Sequence, residues 1–293
     1  MWRVKDGEQL AATMQGRHVL CVAVSKDGRL IAAGSNDGEV WVWEATTYKQ
    51  AFVCKIPGRP ICDVDFSPDS SRLVSSNTDT TTICDIAGKK VQTLDHGDWV
   101  CAAKYSPQGD RIATASYHSV RVWDSDDGQL LVDVKVELEP WRGLLWFDNH
   151  LFVATKDSNI RQIDASTGST VSKWSVPYDY SSWIALPQHG KFIACSTKDN
   201  ITFWDTSTHT RLTLIPRSSE RGSITFSLDD QVAIVAQEQK IIIGDIFHII
   251  VRLQTTEFLF LIRTSYPRRR TCISNVLRFM HGKTTSSQRR KRY

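Results

Sequence analysis

One slot recurs along this chain at a nearly constant interval. It is Trp43-Glu44, Cys84-Asp85, Trp123-Asp124, Ile163-Asp164, Trp204-Asp205 and Gly244-Asp245. The steps between successive slots are 41, 39, 40, 41 and 40 residues, and Trp2 stands 41 residues ahead of Trp43. A fixed period near 40 requires a structural unit that is built once and then repeated. An unrelated antiparallel sandwich carries no such requirement.

The unit is clearest between Asp98 and Val134. Four short apolar-alternating runs lie there, Val100–Tyr105, Arg111–Ala115, Ser119–Asp124 and Gln129–Val134. Ser106-Pro107-Gln108-Gly109, Tyr117-His118 and Ser125-Asp126-Asp127-Gly128 separate them. Short runs bounded by such clusters read as strands of an antiparallel meander. One four-stranded sheet with two apolar faces cannot bury both alone, so it needs copies on either side.

The six acids in register, with Phe66-Ser67-Pro68-Asp69 and Tyr105-Ser106-Pro107-Gln108-Gly109 upstream, carry a family resemblance. Over about residues 1–246 the chain resembles the WD-repeat family, and the Glu-Pro-Trp-Arg-Gly-Leu-Leu-Trp stretch is similar to fungal members of it. The resemblance implies an all-β propeller of four-stranded blades. Five full blades are expected at roughly 17–55, 59–95, 98–136, 139–176 and 180–216. Residues 222–246 give three further strands, and a strand at Glu8–Met14 closes that last blade, making six. Two arrangements compete with this. In one, Ile249–Leu253 is the fourth strand and the amino-terminal strand opens an incomplete seventh blade; in the other, the sequence lies inside a longer repeat array.

In this family a His before the first strand, a Ser or Thr in the second, an Asp in the next turn and the slot Trp form a hydrogen-bonded network. The resemblance places only pieces of it here. The third blade has His96, Ser116 and Trp123, but Tyr117-His118 stands where the Asp belongs. The first has Ser35, Asp37 and Trp43, with His18 three residues out of register. The fourth has Thr155 and Asp157 with Ile163 for Trp, and the fifth keeps Trp204. Blades held mainly by apolar packing are expected.

Composition adds two constraints. Residues 1–246 carry 25 basic and 31 acidic side chains, whereas 247–293 carry 11 basic and one acid, Glu257. The tail, with Arg268-Arg269-Arg270 and Arg289-Arg290-Lys291-Arg292, reads as irregular and basic. The seven cysteines form no C-x-x-C pair, and an odd count does not suggest a disulfide framework. A reducing compartment is expected, the cytoplasm first and the nucleus as the alternative. The apolar run 246–262 is broken by Arg252 and Glu257, so no membrane association is expected.

No catalytic or phosphate-binding motif is present, and the eight His show no metal spacing. Asp63 and Asp65 flank Val64 and point the same way, which reads as a polar strand face meeting a neighbouring turn. No enzyme activity, cofactor, metal or small-molecule substrate is expected. The propeller geometry implied by the resemblance points instead to its upper rim. There the starts of the inner strands bring Pro60, Trp99, Trp141 and Tyr180, and the second turns bring Asn36-Asp37, Thr78-Asp79, Tyr117-His118, Lys156-Asp157 and Lys198-Asp199. Aromatic anchors ringed by charge are what protein-binding surfaces look like. The resemblance therefore implies a non-catalytic scaffold that binds proteins or peptides. The alternative is a nuclear or nucleic-acid-associated subunit using the basic tail, although nucleic acid is not the expected partner.

Overall fold

The structure is a computed structural model, and it describes residues 18–56, 60–137, 143–176, 183–197, 199–216, 223–227, 232–237 and 240–245. Among these the chain forms strands and no helix. The first blade holds β1 (Val19–Val24), β2 (Leu30–Ser35), β3 (Glu39–Glu44) and β4 (Gln50–Lys55). The second holds β5 (Asp63–Phe66), β6 (Arg72–Ser76), β7 (Thr80–Asp85) and β8 (Lys90–Asp95). The third holds β9 (Val100–Tyr105), β10 (Arg111–Ser116), β11 (Ser119–Asp124) and β12 (Leu130–Lys135). In the fourth are β13 (Leu144–Phe147), β14 (His150–Thr155), β15 (Asn159–Asp164) and β16 (Thr170–Ser175). In the fifth are β17 (Trp183–Ala185), β18 (Phe192–Ser196), β19 (Asn200–Asp205) and β20 (Arg211–Pro216). Each pairs in chain order as an antiparallel meander, as does the sixth sheet of β21 (Ile224–Phe226), β22 (Val232–Gln237) and β23 (Lys240–Asp245). The expected closing strand at 8–14 and the basic tail from 247 lie outside the described residues.

The repeat is chemical as well as geometric. After the inner strand a serine pins the first turn. The Ser67 hydroxyl donates to Asp69 at 2.6 Å and accepts the Arg72 N–H at 2.9 Å. Ser106 does the same with Asp110 and Arg111, at 2.7 and 3.1 Å. The second turn is stapled from the end of the second strand. Ser35 Oγ accepts the N–H of Asp37 and Glu39, Asn77 Oδ1 those of Asp79 and Thr80, and Ser116 Oγ those of His118 and Ser119.

The slot acid caps the third turn. Asp124 Oδ1 accepts the N–H of Asp126 and Asp127, Asp164 those of Ser166 and Thr167, and Asp205 those of Ser207 and Thr208. Short acidic side chains favour this because the carboxylate reaches backbone donors two and three residues on. The residue ahead of the acid sits at a break in register in every four-stranded blade, at Trp43, Cys84, Trp123, Ile163 and Trp204. Such a bulge re-aims a side chain and sharpens the local twist, which fits an inward-turned large apolar group at that position.

The blades pack face to face. Ala32, Val40 and Val42 of the first blade meet Val64, Phe66 and Leu73 of the second. Val74, Ile83 and Leu94 of the second meet Ala103, Tyr105 and Ile112 of the third. Comparable cores join the third to the fourth, the fourth to the fifth and the fifth to the sixth. Burying a Val or Phe in such a face contributes about 1.5–3 kcal/mol. Gly34 lies so close to the next blade that a Cβ there would strike Ile61. All six inner strands line a cavity of about 660 Å³, with Cys21, Asp63, Lys104, Leu145, Ile184 and Thr225 each contributed by a different one. This is the radial arrangement of a propeller around its channel.

Cys54 of β4 and Cys84 of β7 bring their side chains together in the core between the first two blades. The Cys101 thiol donates to the Ala115 carbonyl at 3.1 Å, and Cys195 is buried in the core of the fourth and fifth blades.

Candidate functional site

Antiparallel pairing gathers the starts of the inner strands and the second turns at one rim of the molecule. Backbone bonds tie them there: the Val100 N–H donates to the Asn77 carbonyl and the Ile61 N–H to the Ser35 carbonyl. On this rim Trp99, just ahead of β9, meets Tyr117 edge-on, with ring centroids 5.9 Å apart and planes at 76°. Both rings are half-buried. The Trp99 indole N–H donates to Cys62 Sγ of the second blade at 3.2 Å, so the ring is held across the blade boundary. Tyr117 also lies 6.3 Å from the exposed His118 ring.

The other rim residues separate into groups. Lys156 and Asp199 are exposed in their turns. Asp157 accepts from Lys173 Nζ at 2.7 Å and from the Thr155 hydroxyl. These bonds hold its carboxyl well below the usual carboxylate range, so Asp157 serves its own blade. Trp141, Tyr180 and Lys198 lie outside the described residues. The expected aromatic ring is thus visible at one place, the boundary of the second and third blades.

His96, Ser116 and Trp123 share no common hydrogen-bonded chain. The Trp123 indole N–H donates to Thr114 Oγ1 at 2.8 Å, and Trp204 makes the same kind of bond to Thr202 at 3.0 Å. Ser116 is occupied by its own turn. The His96 ring is buried 6.3 Å from the Trp123 ring, and neither nitrogen has a hydrogen-bond partner. Burial first, and then the Arg121 guanidinium, push its pKa down to about 4. With His118 where an Asp would stand, the acceptor for this imidazole is missing. Trp43 is buried beside Trp41, and Asp37 is exposed in its turn.

Two features went unread in the sequence. Asp63 and Asp65 do not meet a turn; they reach the inner strand of the next blade. Asp63 Oδ2 accepts the Ala103 N–H at 3.2 Å and lies 2.7 Å from Lys104 Nζ, while Asp65 Oδ2 accepts the Tyr105 N–H at 2.9 Å. Burial raises the Asp65 pKa, and the Lys104 ammonium is stabilised by both carboxylates despite its own burial. At the opposite rim Arg72 donates to the Ser125 carbonyl and Asp126 of the next blade, at 3.0 and 2.9 Å. Arg111, 39 residues on, donates to Asn149 and Ser166 of its own next blade and lies 5.4 Å over the Trp146 ring. The repeat spacing between the two arginines was the available signal. Among the described residues no group of three or more His, Cys, Asp or Glu could hold a metal ion.

Residues 8–44, 50–84 and 88–124 match the family described as WD40, WD domain, G-beta repeat. The chain is 28% identical over 137 residues to the WD repeat-containing protein SL1-17 of Schistosoma mansoni, covering 45% of each. It is 27% identical over 162 residues to the small ribosomal subunit protein RACK1y of Oryza sativa subsp. japonica, covering 54% of this chain and 48% of that one. To the guanine nucleotide-binding protein subunit beta-5b of Danio rerio it is 25% identical over 126 residues, 40% of this chain and 32% of that one. The chain spans about half the length, or less, of these relatives. With its slot period, its meander sheets and these matches together, the chain carries WD40 repeats over residues 8–124 and has the all-β propeller fold.

Proposed function

We propose that the chain is a non-catalytic scaffold that binds a protein or peptide partner on the rim carrying Trp99 and Tyr117. The observation that carries this reading is the edge-on pair itself, half-buried and held from the neighbouring blade by the indole bond to Cys62. Rigid aromatic groups with one wet side supply contact area at low entropic cost and dominate binding hot spots. Lys156 and Asp199 supply charge farther around the same rim. Relatives named as a small ribosomal subunit protein and as a subunit of a guanine nucleotide-binding protein support a role inside assemblies.

The test is comparative capture from an extract, read by quantitative mass spectrometry. The wild-type chain is set beside a Trp99→Ala/Tyr117→Ala variant and a Lys26→Ala/Gln108→Ala variant of the opposite rim. Loss of specific proteins by roughly fivefold or more in the first variant alone is expected for a hot spot of this kind. Equal recovery by all three, at unchanged thermal stability, contradicts the proposal.

A further inference from the structure

The channel holds a second, smaller chamber of about 450 Å³ that opens on the rim opposite Trp99. Lys104, Leu144, Leu145 and Leu186 line both this chamber and the larger one, so they stand at the waist between the two. First turns ring the mouth of the smaller chamber. Lys26, Pro68, Pro107, Asp148 and Pro187 come to it from five successive blades.

The charges at this site do not balance. Lys26 and Asp148 are both exposed at the mouth, where water screens them and their charges cancel. Deeper in the channel stand Asp63, Asp65 and Lys104, two carboxylates to one ammonium. The ammonium is committed to Asp63, whose two oxygens lie 2.7 and 3.0 Å from Lys104 Nζ. Asp65 feels that ammonium only through space. Its Oδ2 accepts the Tyr105 N–H at 2.9 Å, and its Oδ1 accepts no hydrogen bond among the described residues. A carboxylate partly removed from water with one oxygen open is costly until a donor or a cation meets it.

We propose that the smaller chamber binds a free primary amine on an unbranched apolar stem, its ammonium donating to Asp65 Oδ1 and its methylenes lying along Leu145 and Leu186. Three features select that chemistry. The sign follows from the surplus carboxylate: an anion placed here meets Asp65, while the one buried cation is already taken by Asp63. The head group follows from the single open oxygen. A guanidinium is a planar fork that matches both oxygens of a carboxylate, whereas an ammonium is a compact point charge that one oxygen satisfies. The stem follows from the walls, which are Leu144, Leu145, Phe147 and Leu186 on one side and the turn prolines at the mouth. A chamber of this size, mostly apolar with a few placed polar groups, is of the kind that holds a small molecule. One side chain of a partner would fill only part of it, which favours a free amine over a lysine.

Calorimetric titration of the full chain with n-pentylamine, pentanoate and n-pentylguanidine tests this. Pentylamine is expected to bind saturably, in the millimolar range or tighter as suits so small a ligand. It is expected to bind about tenfold or more tighter than pentanoate, and severalfold tighter than pentylguanidine. Asp65→Asn is expected to weaken pentylamine binding by about tenfold or more. The Asn oxygen still accepts the Tyr105 N–H, so the blade interface is kept. The Trp99→Ala/Tyr117→Ala variant is expected to bind pentylamine as the wild type does, because those rings lie on the other rim. Where Asp65→Asn fails to fold, the order of the three ligands on the wild type decides. No saturable binding of pentylamine, equal binding of pentylamine and pentanoate, or undiminished binding by a folded Asp65→Asn chain each overturns the proposal. A blocked pentapeptide with a central lysine is titrated alongside; tighter binding of it than of pentylamine also overturns the proposal, because the occupant is then a partner's side chain.

Discussion

Asp63 on β5 and Lys104 on β9 face each other at 2.7 Å across the boundary of two blades. Neighbouring inner strands belong to separate sheets and share no ladder of backbone bonds. The carboxylates of Asp63 and Asp65 replace that ladder by accepting backbone N–H groups of the next strand. Removing one charge of the pair strands the other. Asp63→Asn is expected to lower the unfolding free energy by about 2 kcal/mol, discounted from a fully buried pair because both groups keep some contact with the channel. Asp63→Asn with Lys104→Met is expected to recover most of the loss, and urea denaturation of the four proteins checks the cycle.

His96 should make the protein acid-sensitive. Its folded pKa, about 4, lies below its ordinary value of 6.5, so the unfolded chain binds the proton more readily. Stability from this residue is present above pH 6.5 and is lost as pH falls toward 4, by about 3 kcal/mol in all. Paired carboxylates such as Asp69 and Asp205, held down to about 2 by hydroxyl and backbone bonds, act at lower pH. Denaturation midpoints of the wild type and His96→Phe at pH 7 and 4.5 check this, with the variant showing the flatter dependence.

The slot acids hold turns and not a shared network. Asp124→Ala and Asp164→Ala each remove an acceptor from two exposed backbone donors, which costs about 1 kcal/mol. Because the two turns lie in different blades, the double variant is expected to lose the sum. Thermal melts of the three variants decide it.

The blades were legible because each is specified locally. Turn serines, slot acids and strand alternation repeat at one interval, and the five expected blades appear as five four-stranded sheets in the expected stretches. What joins the blades was less legible. Asp63 finds Ala103 and Lys104, Arg72 finds Asp126, and Cys54 finds Cys84, each pair separated by most of a repeat or more, and alternation within one strand does not reveal such partners. Trp174 likewise stacks on His209 of the following blade, with centroids 4.4 Å apart. On the rim, Trp99 and Tyr117 were legible by position, but the indole bond to Cys62 that fixes the pair was not. At His96 the missing acceptor was legible, because Tyr117-His118 stands in the turn where the family pattern has an Asp.

The most direct measurement is hydrogen–deuterium exchange of the chain, free and bound to the protein that it captures. The account predicts added protection at residues 96–100 and 117–119, with none in the opposite-rim turns at 67–72 and 106–111. Protection confined to those opposite turns, with the Trp99 rim unchanged, would contradict it.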